Sequence, residues 1–104
     1  MSFSVYHRGK RCARQGNYVD AIPMLEEATR DGTKGSSDAK KMLLLGSSLV
    51  MIGDHNHGIP VLEKALSLAS SKSVRSEALY SLGYACNAKR DGMRSVIIVI
   101  LLSR

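Results

Sequence analysis

The sequence repeats itself with a fixed period, and this repeat constrains the fold more than the composition does. Residues 16–28 read GNYVDAIPMLEEA, and residues 53–65 read GDHNHGIPVLEKA, 37 positions later. Gly9, Gly46 and Gly83 are spaced by the same 37 residues. Such a period is typical of a chain that stacks one small structural unit several times.

Each central glycine lies in a segment with helical periodicity. An apolar residue stands four positions before the glycine and another stands three positions after it, as in MLLLGSSL around Gly46. This spacing places those side chains on one face of a helix, and we expect the glycine to let a neighbouring helix approach closely. After the first two segments, Gly16 and Gly53 suit helix C-caps, and Asn17 and Asp54 suit the N-caps of the next helices. The predicted unit is a helix, a tight turn and a second helix.

The second helix of each unit has small and aliphatic residues on one face. They are Ala21, Leu25 and Ala28 in the first copy and Gly58, Leu62 and Ala65 in the second. Both copies also contain a proline, Pro23 or Pro60, at equivalent positions. Because proline is tolerated only in the first turn of a helix, we expect both helices to begin late or to bend at the start.

These residues resemble the tetratricopeptide repeat, whose pattern is W-x2-L-G-x2-Y, then A-x3-F, then a terminal P, over about 34 residues. The likeness spans roughly residues 4–92, although the chain has no Trp and its period is 37. The matching positions are Val5, Arg8, Gly9, Cys12, Ala21 and Leu25; Met42, Leu45, Gly46, Leu49, Gly58 and Leu62; and Leu79, Leu82, Gly83 and Cys86.

The resemblance implies an all-α fold, a right-handed helix-turn-helix solenoid of about two and a half repeats. We expect one domain over residues 1–104, with repeats at about 4–31, 38–70 and 75–102. The second helix of the third repeat has diverged, because no clear Ala-x3-Leu match follows Cys86.

The same resemblance implies a non-enzymatic scaffold or adaptor that binds a peptide or helix of another protein in a concave groove. The rows of the first helices that packing leaves free should line it, and they suit an acidic peptide with apolar anchors. The rows are Phe3, Tyr6, Lys10 and Arg14; Lys40, Leu43, Ser47 and Met51; and Glu77, Tyr80, Tyr84 and Asn87. Alternatively, Tyr6, Leu43 and Tyr80 seal contacts between adjacent repeats.

The charge balance leaves a second function class open. The chain has 15 Lys and Arg against 9 Asp and Glu, a net charge of +6, and helical repeats can bind RNA. Basic residues cluster near both ends of the chain, but the others are scattered without interleaved aromatics, which is typical of a solvated surface. Binding of nucleic acid is therefore the alternative to binding of protein.

No motif predicts catalysis or a cofactor. His55 and His57 flank a turn beside Asp54, but no second cluster completes a set of four metal ligands, so we predict a polar turn and no metal site. Cys12 and Cys86 occupy equivalent positions and are expected to face the partner helix as small buried hydrophobes. Nothing in their spacing supplies the base that a nucleophile needs.

The chain ends in an aliphatic run that a solenoid cap would not normally expose. Its residues are Val96, Ile97, Ile98, Val99, Ile100, Leu101 and Leu102. Three arrangements would bury this run: a last second helix that packs against repeat three and another protomer, a β-prone tail that pairs with another chain, or a continuation of the chain that supplies the cap. We expect residues 93–102 to mediate self-association. Seven residues are too few to cross a bilayer, which takes about 20. With two distant cysteines and no signal peptide, the chain is expected to be cytoplasmic.

Overall fold

The computed structural model describes the backbone of residues 5–30 and 36–102 and the side chains of residues 5–30 and 38–90. Over these ranges the protein is helical and has no strand, as the sequence predicts. The five helices are α1 (Val5–Arg14), α2 (Tyr18–Arg30), α3 (Ser36–Met51), α4 (His55–Leu68) and α5 (Lys72–Leu102).

Two turns with the same geometry join the helices of the first two units. Gly16 and Gly53 have φ values of 83° and 88°, in the left-handed region that glycine adopts without a steric penalty. Asn17 N–H donates to the carbonyl of Cys12 at 2.9 Å, and Asp54 N–H makes the equivalent bond. The prediction of glycine C-caps is therefore confirmed, and each turn folds the second helix back on the first.

The glycines at the centre of α1 and α3 allow the close approach that the sequence predicts. A Cβ built on Gly9 would lie 2.9 Å from Cγ of Leu25, and one built on Gly46 would lie 2.6 Å from Cγ of Leu62. Both leucines are completely buried. The central contact of the first helix pair thus recurs in the second pair, 37 residues later.

The helices of the second unit pack closely because a larger side chain on one faces a smaller residue on the other. In the first unit, Ala13 and Ala21 belong to one core cluster. At the equivalent positions of the second unit stand Val50 and Gly58, and a Cβ on Gly58 would lie 2.8 Å from Cγ2 of Val50. The larger residue on α3 faces the smaller one on α4, so the helices pack closely without overpacking.

The prolines do not delay the helices in which they lie. The helices α2 and α4 begin at Tyr18 and His55, so the expectation of a late start is wrong, and Pro23 and Pro60 lie inside them. The turn fixes where each helix begins, and both prolines are exposed. Each helix therefore loses one backbone hydrogen bond on its solvent side.

The third unit is not a helix pair. The predicted repeat over 75–102 corresponds to α5, which runs unbroken for 31 residues. At the position of Gly16 and Gly53 the third copy has Arg90, and a left-handed conformation costs a residue with a Cβ roughly 1–2 kcal/mol. Without the glycine C-cap, the helix continues, and residues 93–102 extend it instead of folding back.

The helices pack in sequence order, and the first helices of successive units also touch. The helix α1 contacts α3, and α3 contacts α5, whereas α2 and α4 share no contact among the described residues. One core cluster lies between α3, α4 and the first half of α5, and another lies between α1, α2 and α3. Among the described residues, no helix is long and apolar enough to cross a bilayer.

Candidate functional site

A groove of about 550 Å³ lies between α1, α3 and the start of α5. It forms because the first helices of successive units touch along one side of the molecule. Its lining residues are Tyr6, Lys10, Ala13, Arg14, Tyr18, Lys40, Leu43, Leu44, Ser47, Ser48, Met51, Ser73, Val74 and Glu77. The groove therefore joins residues that are up to 71 positions apart in the sequence.

The floor of the groove is apolar and held in place by packing. Leu43 and Val74 are 8% and 7% exposed and belong to the core cluster between α3, α4 and α5. Ser48 is completely buried, and its hydroxyl donates to the carbonyl of Leu44 at 2.8 Å. The hydroxyl oxygens of Ser47 and Ser81 lie 3.3 Å apart, a hydrogen-bond distance that links α3 to α5.

The charged side chains around the groove are mostly cationic. Lys10, Arg14 and Lys40 line it together with one carboxylate, that of Glu77. Lys10 Nζ lies 5.9 Å from the centroid of the Tyr6 ring, near the outer limit of a cation–π contact. The arrangement can attract an anionic group to the rim while apolar side chains enter the floor.

Tyr6 supplies a neutral phenol at one end of the groove. Partial burial raises the pKa of Tyr6 above its ordinary value of 10.0, and the nearby charge of Arg14 offsets part of this effect. The hydroxyl consequently stays protonated at neutral pH. It can donate one hydrogen bond and accept another, which suits the backbone or a carboxylate of a bound peptide.

Eight of the twelve residues in the predicted rows line this groove. They are Tyr6, Lys10, Arg14, Lys40, Leu43, Ser47, Met51 and Glu77. Tyr80 and Tyr84 are 79% and 54% exposed, and together with Asn87 they lie on α5 outside the lining. The alternative that Tyr80 seals a contact between repeats is therefore wrong, whereas Leu43 does belong to the core. Phe3 lies outside the described residues.

Sequence reasoning missed six lining residues: Ala13, Tyr18, Leu44, Ser48, Ser73 and Val74. Tyr18 is the first residue of a second helix, and the prediction took the lining from the first helices alone. Its position directly after the turn places it beside the end of α1, where it could have been predicted. Ser73 and Val74 precede the region of the third copy that resembles the repeat, so no motif indicated them.

The predicted self-association segment can be placed only in part. The backbone of residues 96–102 is helical, within α5, and their side chains lie outside the described residues. The structure therefore assigns this segment a helical conformation and no β-structure.

At the second turn, His57 pairs with Asp54. Nδ1 of His57 lies 2.9 Å from both carboxylate oxygens of Asp54. This hydrogen bond raises the pKa of His57 above 6.5 and lowers the pKa of Asp54 below 3.8. Asp54 is the N-cap residue of α4, yet its side chain makes no capping bond. No group of three or more metal ligands exists within the described part of the chain.

The two cysteines differ in their surroundings. Cys12 is half-buried and packs against the core cluster of the first unit, as expected. Cys86 is exposed, so the prediction that it faces a partner helix is wrong. It occupies the position of Leu49 in α3, but in the third unit no second helix covers it.

Comparison of the chain with protein-family models, with curated proteins and with solved structures gives no match. The resemblance to the tetratricopeptide repeat stays a prediction.

Proposed function

We propose that the protein is a non-enzymatic adaptor, a short solenoid of tetratricopeptide-like repeats that binds a segment of another protein in the groove between α1, α3 and α5. The observation that carries this proposal is the groove itself, where an aliphatic floor lies beside a cationic rim. Stacked first helices present such surfaces in solenoids of this architecture.

The charges favour an acidic ligand with one or two bulky apolar residues. Three cations and one carboxylate line the groove, so an acidic segment gains attraction at the rim. Leu43 and Met51 give apolar anchors a surface to contact. Rim charges contribute mainly to association rate and specificity, and the apolar floor should supply most of the affinity.

The groove offers little of what nucleic acid requires. Single-stranded RNA is bound by aromatic rings on which successive bases stack, together with cations that follow the backbone. The two tyrosines in the lining, Tyr6 and Tyr18, are half-buried and so offer only part of each ring for stacking. The exposed rings of Tyr80 and Tyr84 lie outside the groove lining. We therefore rank binding of RNA second.

The experiment is selection from a library of random 16-residue peptides displayed on phage. The groove variant is Lys10→Glu with Lys40→Glu. The control, Arg8→Glu with Lys89→Glu, changes the net charge equally at exposed positions outside the groove. Circular dichroism must show equal helix content for all three proteins.

We expect selected peptides to be rich in Asp, Glu and large aliphatic residues. Their affinity should fall at least tenfold in the groove variant and less than twofold in the control. Peptides that lose affinity equally in both variants would contradict the assignment of the groove. If labelled oligouridine binds more tightly than any selected peptide, with a steep dependence on salt, RNA is the ligand.

We also propose a reducing, cytoplasmic location, which the two free thiols support.

A further inference from the structure

One face of α5 lacks the cover that the same face has in α1 and α3. In α3, Gly46 is buried, and Met42 and Leu49 are half-buried beneath α4. At the equivalent positions of α5, Leu79 is 55% exposed, and Gly83 and Cys86 are exposed as well. A Cβ on Gly83 would meet no atom within 4 Å. We call the surface of Leu79, Gly83, Cys86 and Asn87 the Gly83 face.

The residues that would cover this face in a third helix pair are those that now continue α5. The helix α4 begins at residue 55, and adding the period of 37 places its counterpart from residue 92 onward. In α4, Leu62 fills the place beside the central glycine, and the register assigns that place to Val99 in the third copy. The chain therefore has an aliphatic residue in the correct register for Gly83.

A polar pair strengthens this match. Ala13 and Ala21 belong to one core cluster, and Val50 approaches Gly58 at the equivalent positions. In the third copy these positions are Asn87 and Ser95. Both members of the pair are apolar or small in the first two units, and both are polar in the third. Because an amide buried without a hydrogen-bond partner is costly, a polar residue opposite Asn87 is what a covering helix needs.

We infer that residues 92–102 form a strap that folds back onto the Gly83 face in a minor form of the protein. The helix breaks at residues 89–91, the positions of the two earlier turns, and Ser95 and Val99 then face Asn87 and Gly83. Arg90, in place of the turn glycine, keeps the extended helix the major form. This inference does not depend on what the groove binds.

The length of α5 makes such a break inexpensive. The helix α4 has 14 residues and can pair with only the first half of the 31-residue α5. Among the residues of α5 whose side chains are described, which end at Arg90, the last half-buried one is Ala88. Beyond it, 14 residues continue as a helix, and helices of about 12–15 residues without tertiary support are marginal in water.

A second copy of the straight helix cannot supply this cover. Val99 follows Gly83 by 16 residues, which places it about 160° around the helix, on the side where Val74 and Ala78 pack against the core. A copy that presented Val99 to the Gly83 face would bring its own helical core against the end of α5. The register of Val99 therefore favours the same chain as the source of the cover.

Disulfide trapping tests the strap. Cβ of Leu49 lies 3.3 Å from a Cβ built on Gly58, so Ser95→Cys should bring its thiol within disulfide distance of Cys86 in the closed form. In the extended helix the two positions are roughly 13 Å apart, too far for a bond. The background is Cys12→Ser. Ile97→Cys, at the position of the exposed Pro60, is the matched control.

We expect dilute Ser95→Cys protein to form an intramolecular disulfide at least tenfold faster than the control, as measured by intact mass and non-reducing electrophoresis. Adding Arg90→Gly should speed the reaction roughly tenfold by removing the penalty of the left-handed turn. Adding Gly83→Ile should slow it by filling the face, and circular dichroism checks that this variant folds. An intermolecular disulfide, or a rate equal to that of the control, would overturn the inference.

Discussion

The three central glycines give the most direct test of the packing. Changing a helical glycine to alanine gains about 1 kcal/mol from helix propensity, and overpacking a core costs about 1–3 kcal/mol. At Gly46 the new methyl group would lie 2.6 Å from Cγ and 3.2 Å from the backbone nitrogen of Leu62, which is completely buried and cannot move aside. Gly46→Ala should therefore destabilise the protein by about 1–2 kcal/mol.

The other two glycines calibrate this value. Gly9→Ala should cost less, about 0–1 kcal/mol, because its methyl group would lie 2.9 Å from the nearest atom and would meet side chains alone. Gly83→Ala meets open space and should stabilise the protein by about 0.5–1 kcal/mol. Urea denaturation followed by circular dichroism measures the free energy of unfolding for all three. In a thermal scan, each kcal/mol corresponds to roughly 4–8 °C in Tm.

The order of the three free energies of unfolding tests the packing of α3 against α4 and the exposure of the Gly83 face. If Gly83→Ala destabilises the protein as much as Gly46→Ala does, the Gly83 face is covered in the major form, and our account of α5 is wrong. If Gly46→Ala is neutral, α3 and α4 are not as close as the structure places them.

Three further predictions concern the second unit and α5. Gly58→Ala alone should cost about 1–2 kcal/mol after the gain in helix propensity. Val50→Ala in the same chain should recover at least half of that loss, because the pair then copies the first unit. Additive effects in a double-mutant cycle would contradict the size balance. The pair of Asp54 and His57 contributes its full stabilisation between the unfolded pKa of the carboxyl and the unfolded pKa of the imidazole. This stabilisation is lost as pH falls through the lowered pKa of Asp54, and it is also lost as pH rises through the raised pKa of His57. His57→Ala should therefore lower Tm slightly at pH 5.5 and leave it unchanged at pH 9. Cys86 should react with a maleimide before the other thiol does, as peptide mapping would show.

The first two units could be predicted because their signals are local. A glycine in the left-handed region, followed by a polar residue, determines where a helix ends and the next begins. The small residue at the centre of the first helix and the leucine of the second then determine how closely the pair packs. Each of these contacts repeats 37 residues later in the structure. Pro23 and Pro60 misled the prediction because the turn outweighs them.

The third unit could not be predicted from the period alone. One substitution, Arg90 at the position of a turn glycine, removes the conformation that would end the helix. This change is visible in the sequence, but the prediction of a third helix pair relied on the regular spacing of Gly9, Gly46 and Gly83. Tyr80 and Tyr84 were misplaced for a related reason: among the described residues no further first helix packs against the side of α5 that carries them, and both are exposed.

The candidate groove was predicted for the two rows on α1 and α3, since each of these helices has another first helix beside it. The row on α5 contributes only Glu77 to the lining. Helical periodicity indicates which residues share a face, but it does not say how far along a helix the neighbouring helix extends.

The end of α5, residues 89–102, also acts as a spacer. From Ala88, the last half-buried residue among the described side chains, to Leu102 the helix advances roughly 21 Å. A group attached at residue 102 is held at that distance from the packed body in the extended form and beside α3 or α4 in the strapped form. Resonance energy transfer between dyes at residues 102 and 64 would therefore report two separate distances. The residue at position 90 sets the relative populations of the two forms.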